Sequence, residues 1–308
     1  MKNFINISDI PANDLRKILK DAKIRKNKRK KFKTLQRDID TPLKDKLLIQ
    51  MYEKESLRTR LSFLIAIKQL GGEAINIRAN ELHLGKGGER LSDTAKILST
   101  YCDAFMLRTD NDEKIFEFNK NLKIPFINLL SPSSHPCQVL SDIFTIEEIK
   151  KKKISKLHIS WIGDSNNVLN SLISAALKFK FNLNIGCPKK YRPSKMVANK
   201  IKLENRIFFF ESPKKAILDA DVIFSDKFVS LNDKVNKLKK IRDFKSYKID
   251  SKLIKYAKRN AIFLHCLPRG DEVSDDVFLG KQSHVWQQAL NRVHVQKSIL
   301  LYCFGKLR

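Results

Sequence analysis

The sequence predicts an α/β protein made of two doubly wound parallel-sheet domains, and three observations carry that prediction. Short apolar runs recur from end to end of the chain, separated by segments of helical length and periodicity. The runs are continuous rather than alternating, the pattern of strands covered on both faces by crossover helices. At 308 residues, with 42% hydrophobic residues, the chain is long for one core and suits two domains of about 150 residues each.

The runs of the first half lie at 47–52, 74–78, 104–108 and 126–130. The first is followed by Glu53, Lys54, Glu55, Ser56, Leu57, Arg58, Thr59 and Arg60, which open a largely apolar, helix-compatible stretch to Leu70. A helix N-terminus exposes unpaired backbone N–H groups and a partial positive charge, so Ser56, Arg58 and Thr59 placed there make a site for phosphate or carboxylate. Taken alone, the same segment reads equally well as a helix capped by Ser56 with an exposed arginine pair. The stretch 79–90, with Gly85, Gly87 and Gly88, is long and glycine-rich enough to be a mobile or binding loop. Arg108 ends the third run; in isolation it reads as a surface salt-bridge partner. His135, Pro136, Cys137 and Gln138 follow the fourth, with Pro136 suited to a first helical turn.

That helix, running through Asp142 and Glu147 to the basic cluster at Lys150, is where a domain boundary is expected. The runs of the second half lie at 157–162, 183–186, 207–210, 222–225 and 261–264. The last leads into His265, Cys266, Leu267, Pro268 and Arg269, so a histidine and a polar cluster again fall at a strand end, where open α/β sheets bind ligands.

The formal net charge of +28 would by itself suggest a nucleic-acid or anionic-membrane partner. The lysines are scattered, however, with short clusters at 25–33, 150–153 and 237–240 that are expected in connecting segments or on solvated helix faces, and no recognised nucleic-acid module accompanies them. Five cysteines, at 102, 137, 187, 266 and 303, include no Cys-x-x-Cys pair, which argues for a reducing compartment with neither a disulfide framework nor a zinc site. Charges at Lys2, Asp9, Asp14, Arg16, Lys17 and Lys20 interrupt any signal-peptide core, and no apolar run is long enough to span a membrane. A cytoplasmic protein is expected.

On these residues the chain resembles the aspartate/ornithine carbamoyltransferase family. Ser56 to Arg60 matches the family's Ser-Thr-Arg-Thr-Arg, His135 to Gln138 its His-Pro-Cys-Gln, and His265 to Pro268 its His-Cys-Leu-Pro. Gly163, Asp164, Ser165, Asn166 and Asn167 are similar to Gly-Asp-Gly-Asn-Asn, Asp226 to Asn232 to Asp-x-Trp-x-Ser-Met-Gly, and Asn291 with Arg292 to the Glu-Asn-Arg ending. The resemblance covers essentially the whole chain.

It implies a carbamoyltransferase-like fold, with residues 1–140 binding carbamoyl phosphate, 141–286 binding the amino acid, and a helix at about 287–308 packing back on the first domain. It implies that Ser56, Leu57 (through its N–H), Arg58, Thr59 and Arg292 hold phosphate, that Arg108, His135 and Thr59 face the carbonyl oxygen, and that Gln138 and the Leu267 carbonyl take the NH2 group. Cys266 in place of the aspartate branch's proline implies ornithine as acceptor; Asn167, Asp226, Ser230 and Leu231 would bind it. Arg58, Arg108, His135 and Cys266 are the implied catalytic set, without metal or organic cofactor. A homotrimer is implied, in which His83 of the 80–85 loop reaches a neighbour's phosphate site.

Several positions depart from the pattern: Leu57 removes a hydroxyl from the phosphate turn, Ser165 and Asn232 replace glycines, Phe228 replaces Trp, Leu231 replaces Met and Leu290 replaces Glu. Leucine at 57 also occurs in relatives acting on acylated ornithine, so N-acetyl- or N-succinylornithine is the alternative acceptor. A catalytically silent, basic binding protein on the same scaffold is the other.

Overall fold

The computed structural model describes residues 2–78, 88–193, 205–229 and 236–307. It divides into two compact units, Met1–Ser141 with Leu290–Arg308, and Asp142–Ala289.

The first unit carries β1 (Leu47–Tyr52), β2 (Glu73–Arg78), β3 (Ala104–Arg108) and β4 (Phe126–Leu130), with helices α1 (Ala12–Lys28), α2 (Leu57–Gln69), α3 (Leu91–Tyr101) and α4 (Asp112–Asn121). All strands are parallel and ordered β2-β1-β3-β4. Because β2 and β3 flank β1 on opposite sides, the strand order reverses between β1 and β3, and the carboxyl ends of those two strands frame the unit's ligand-binding position. Continuous apolar runs form β1, β3 and β4 because both faces are covered: Phe105 and Leu107 of β3 join Phe118 and Phe126 in one core, with Phe105 and Phe126 stacked at 5.8 Å. Edge strand β2 is half exposed. A pairing the apolar runs did not signal is that of Phe4, which lies parallel to Ile127 beside β4 and is buried.

The unit boundaries fall inside two helices, α5 (Pro136–Lys150) and α11 (Val285–Cys303, numbered after the helices below). The second unit holds β5 (His158–Ile162), α6 (Asn167–Phe179), β6 (Asn182–Gly186), β7 (Ile207–Phe210), α7 (Pro213–Ile217), β8 (Val222–Ser225), α8 (Lys237–Phe244), α9 (Ser251–Ile254), β9 (Ile262–His265) and α10 (Asp275–Phe278). Its parallel order is β7-β6-β5-β8-β9, so the reversal falls between β5 and β8. Gly186 closes β6 at a tight spot, since a Cβ there would stand 2.7 Å from the Ile162 side chain and 3.0 Å from Ala216 and would force these neighbours to move.

The basic clusters correct one expectation. Arg25, Arg29 and Lys240 are buried rather than solvated. Each is paired with carboxylates: Arg25 bonds Asp21, Asp38 and Asp40 at 2.9–3.1 Å, Arg29 shares Asp38 at 2.7 Å, and Lys240 lies 2.5 Å from Asp164. Asp38 also receives Lys297 of α11, whose Nζ lies 2.7 Å away and whose side chain is fully buried. Apart from Asp21, one turn before Arg25 on α1, the acids come from other segments, so periodicity does not reveal these pairs. No helix among the described residues is long and apolar enough to cross a membrane.

Candidate functional site

In the first unit the turn from Glu53 to Ser56 forms where β1 runs into α2. Ser56 takes the N-cap position with extended backbone, but its side chain does not cap the helix. Its Oγ instead accepts from Arg108 Nη1 at 3.3 Å, which corrects the plain capping reading. The β3–β4 register slips between Leu107 and Arg108, and such an irregularity re-aims the side chain that follows it. Arg108 therefore points across the switch point to the turn after β1.

Arg292 ties the cluster together from α11. Its Nη2 donates to Thr59 Oγ1 at 2.7 Å and its Nη1 to Gln138 Oε1 at 2.5 Å, and it is only 3% exposed. His135 precedes Pro136, the first residue of α5, and is buried. Burial, reinforced by Arg292, Arg108 and Arg58, pushes its imidazole well below the ordinary value near 6.5. The unit thus gathers Ser56, Arg58, Thr59, Arg108, His135, Gln138 and Arg292: permanent guanidinium charge for a dianion beside a neutral imidazole that can donate one hydrogen bond. Leu57 starts α2 and is 71% exposed, so it offers this turn only its backbone.

The second unit's cluster also sits at its switch point. Asn166 follows β5 and caps α6, accepting from the Val168 and Leu169 N–H groups at 3.0 and 3.1 Å. Its Nδ2 donates to Asp226 Oδ2 at 2.7 Å, so one side chain fixes both the helix start and the carboxylate that follows β8. Gly163, with φ +148°, adopts the conformation that lets this turn pass close to Asp226 and Phe228. Asn167 is the first residue of α6.

At the end of β9, His265 Nδ1 accepts the Leu267 N–H at 2.9 Å, and its Nε2 faces Glu272 Oε1 at 3.0 Å. The His265 N–H is held by Gln288, which in turn bonds Asp142. Burial disfavours the Glu272 charge, but hydrogen bonds from His265 and the Gly270 N–H outweigh it and keep the carboxyl below its usual range. Leu267 has φ +60°, a sparsely populated conformation for a non-glycine residue, held here by its hydrogen bond to His265. Donor atoms of Asp226, His265 and half-buried Cys266 lie within 4.8 Å of one another, while both Asp226 oxygens accept hydrogen bonds, from Asn166 Nδ2 and the Lys227 N–H, and His265 Nδ1 accepts from the Leu267 N–H. A cavity of about 420 Å³ in this unit is bordered by Lys227, Phe228 and Glu272.

His83, Ser230 and Leu231 lie outside the described residues, as does Asn232. Sequence reasoning missed Asn166 as the partner of Asp226 and missed Glu272 entirely; no local pattern marks an acid seven positions after a histidine.

A guanidinium cluster with a neutral histidine in one unit suits an anionic ligand, and the acid–imidazole–thiol cluster in the other suits a cationic one, the inventory of a group-transfer enzyme. The family model for the carbamoyl-P binding domain of aspartate/ornithine carbamoyltransferases matches residues 2–148, and that for the Asp/Orn binding domain matches 155–303. An ornithine carbamoyltransferase of Caulobacter vibrioides is 40% identical over 309 aligned positions, covering 99% of this chain and 98% of that protein. Among solved structures, the ornithine carbamoyltransferase of Pyrococcus furiosus superposes with a TM-score of 0.91 at 35% identity, covering 100% of this chain and 98% of that one. The Burkholderia thailandensis enzyme gives 0.88 at 33%, with complete coverage of both chains. This chain belongs to the aspartate/ornithine carbamoyltransferase family.

Proposed function

We propose that this chain transfers the carbamoyl group of carbamoyl phosphate to the δ-amine of L-ornithine, giving L-citrulline and phosphate in arginine biosynthesis. The observation that carries the donor half is Arg292 joined to both Thr59 and Gln138 beside neutral His135. In this reading Ser56, Arg58, Thr59, Arg292 and the Leu57 N–H hold the phosphate. Arg108, Thr59 and His135 donate to the carbonyl oxygen, where negative charge develops as the amine attacks. Gln138 and the Leu267 carbonyl accept from the NH2 group and so orient the carbonyl carbon. The neutral δ-amine forms the C–N bond, the C–O bond to phosphate breaks, the proton lost by the amine passes to the departing phosphate, and that anion leaves already matched by guanidinium charge. Metal or redox chemistry is not required for that sequence.

The acceptor half rests on Asp226, a carboxylate held by Asn166 that suits the α-ammonium of a free amino acid; acylation would remove that cation. In this reading Asn167 and Ser230 serve the α-carboxylate and α-ammonium, Leu231 contacts the same substrate, and Cys266 stands next to the attacking amine. A citrulline-formation assay with ornithine, its N-acetyl and N-succinyl derivatives and aspartate side by side tests this. Ornithine alone should turn over, and turnover only of an acyl derivative would overturn the acceptor assignment.

The protein is proposed to work in the cytoplasm as a homotrimer. Exposed Leu57 and Leu61, one turn apart on α2, and Ile75 on edge strand β2 supply apolar surface for such contacts. Mixing inactive His83→Ala and Arg58→Ala variants under subunit exchange should restore a fraction of activity if His83 completes a neighbour's site. No recovery, or a fully active His83→Ala enzyme, would remove that role.

A further inference from the structure

Lys240 sits on α8 at 2% exposure, with Nζ 2.5 Å from Asp164 Oδ2 and 5.5 Å from the centroid of the Tyr191 ring. A buried ion pair costs desolvation that a well-packed apolar pair would avoid, so its presence is not explained by stability alone. Its surroundings supply a reason. Asp164 belongs to the turn between β5 and α6, and its carbonyl accepts from Trp161 Nε1 at 3.1 Å. Two residues on, Asn166 holds Asp226 at 2.7 Å. From the other side, Phe244 at the end of α8 stacks on Phe228 at 4.8 Å with an interplanar angle of 21°, two residues after Asp226. Tyr191 braces the same helix, donating to Asp243 at 2.8 Å and packing on Phe244 at 4.9 Å. α8 is therefore fastened both to the turn carrying the partner of Asp226 and to the segment that carries Asp226 itself.

We infer that Lys240 is a positioning residue for the amino-acid substrate: its ion pair with Asp164 holds the turn that sets Asn166 against Asp226, and so governs affinity for the acceptor's α-ammonium without touching it. The inference rests on the functional reading above and adds Lys240 and Asp164 to the residues that determine acceptor binding. A fixed charge pair suits this task because it favours one geometry, where an apolar pair tolerates sliding.

Steady-state kinetics on the full chain test it, using Lys240→Gln, Asp164→Asn and Lys240→Arg with each substrate varied at saturating levels of the other. KM does not depend on how many molecules are folded, so it still reports when a variant is partly unfolded. Lys240→Gln and Asp164→Asn should raise the ornithine KM by about tenfold or more and leave the carbamoyl phosphate KM within about twofold of wild type. Lys240→Arg keeps the charge and the stacking on Tyr191, and should bring the ornithine KM back to within about threefold. An unshifted ornithine KM with only kcat reduced, or both KM values raised alike, would reduce Lys240 to a structural pair and overturn the inference alone. Absence of ornithine turnover in the wild type would overturn the functional reading and this inference with it.

Discussion

The two units place their functional groups by the same topological device and load it with opposite chemistry. In the first, the reversal between β1 and β3 gathers Arg58 and Arg108, joined by Arg292 from α11, around a histidine that burial, reinforced by these guanidiniums, holds well below its ordinary pKa. In the second, the reversal between β5 and β8, with the neighbouring end of β9, gathers Asp226, the His265–Glu272 pair and Cys266. An anionic donor needs permanent positive charge that no pH change can remove. A zwitterionic acceptor needs a carboxylate for its ammonium and surroundings that tolerate loss of a proton from its attacking amine. The contrast teaches that the sheet order sets where a ligand goes and the residues at the strand ends set which ligand it is.

The sharpest way to break this contrast is on the cationic side. Arg58→Ala should lower turnover by on the order of 10² or more, because a charge aligned with the leaving phosphate is lost from a preorganised site. Near wild-type kcat would remove the phosphate-turn assignment. On the acidic side, Glu272→Gln keeps the shape but drops the charge facing His265. It should cost roughly tenfold in kcat/KM for ornithine while sparing the carbamoyl phosphate KM; an equal loss for both substrates would mean that the two clusters are not separable by substrate.

The pH profile separates the units by titration. His135 is pushed well below 6.5, so the donor cluster does not change charge as pH rises above neutrality. The ornithine amine, with a pKa near ~10.4, is about 1 part in 10³ neutral at pH 7, so kcat/KM for ornithine should climb about tenfold per unit from pH 6.5 to 8. A break within that window in the profile for carbamoyl phosphate would show a titrating donor site instead.

The smallest effect concerns stability. Burial lowers Lys297 to about 8, although Asp38 opposes the shift, whereas an unfolded lysine titrates near 10.5. Between those values the unfolded chain holds more protons, so the cost of burying this charge is present below about pH 8 and relieved as pH rises. Compared with Lys297→Met, the wild type should gain on the order of 1 kcal/mol per pH unit between pH 8 and 10 in urea unfolding. A constant difference would mean that Asp38 keeps Lys297 at its ordinary pKa.

Much of the fold was legible because strand and helix signals are local. The apolar runs correspond to β1 through β9, with ends displaced by at most a residue, as at β9, which closes on His265 rather than Leu264. In the first unit's cluster Ser56, Arg58 and Thr59 were legible too, because a strand end followed by a hydroxyl- and guanidinium-rich helix start is a short-range pattern, whereas Arg108 and Arg292 were picked out only by the family resemblance. Ser56 shows where locality stops: the N-cap position was predictable, but its hydroxyl answers to Arg108, 52 residues away. Lys240 shows it again, since a lysine in a basic helix reads as solvated until Asp164, 76 positions earlier, is brought against it.

Local signals sufficed for the parallel α/β architecture and the chemical inventory at the strand ends, since these depend on periodicity, turn chemistry and side-chain type within a few residues. The register slip that aims Arg108, the reach of Arg292 across 233 positions to Thr59, the depressed pKa of His135 and the pairing of His265 with Glu272 arise in the folded chain alone. Each of these is an energy of desolvation or of contact between segments distant in the chain. Such energies exist only once folding has removed water and brought the partners together.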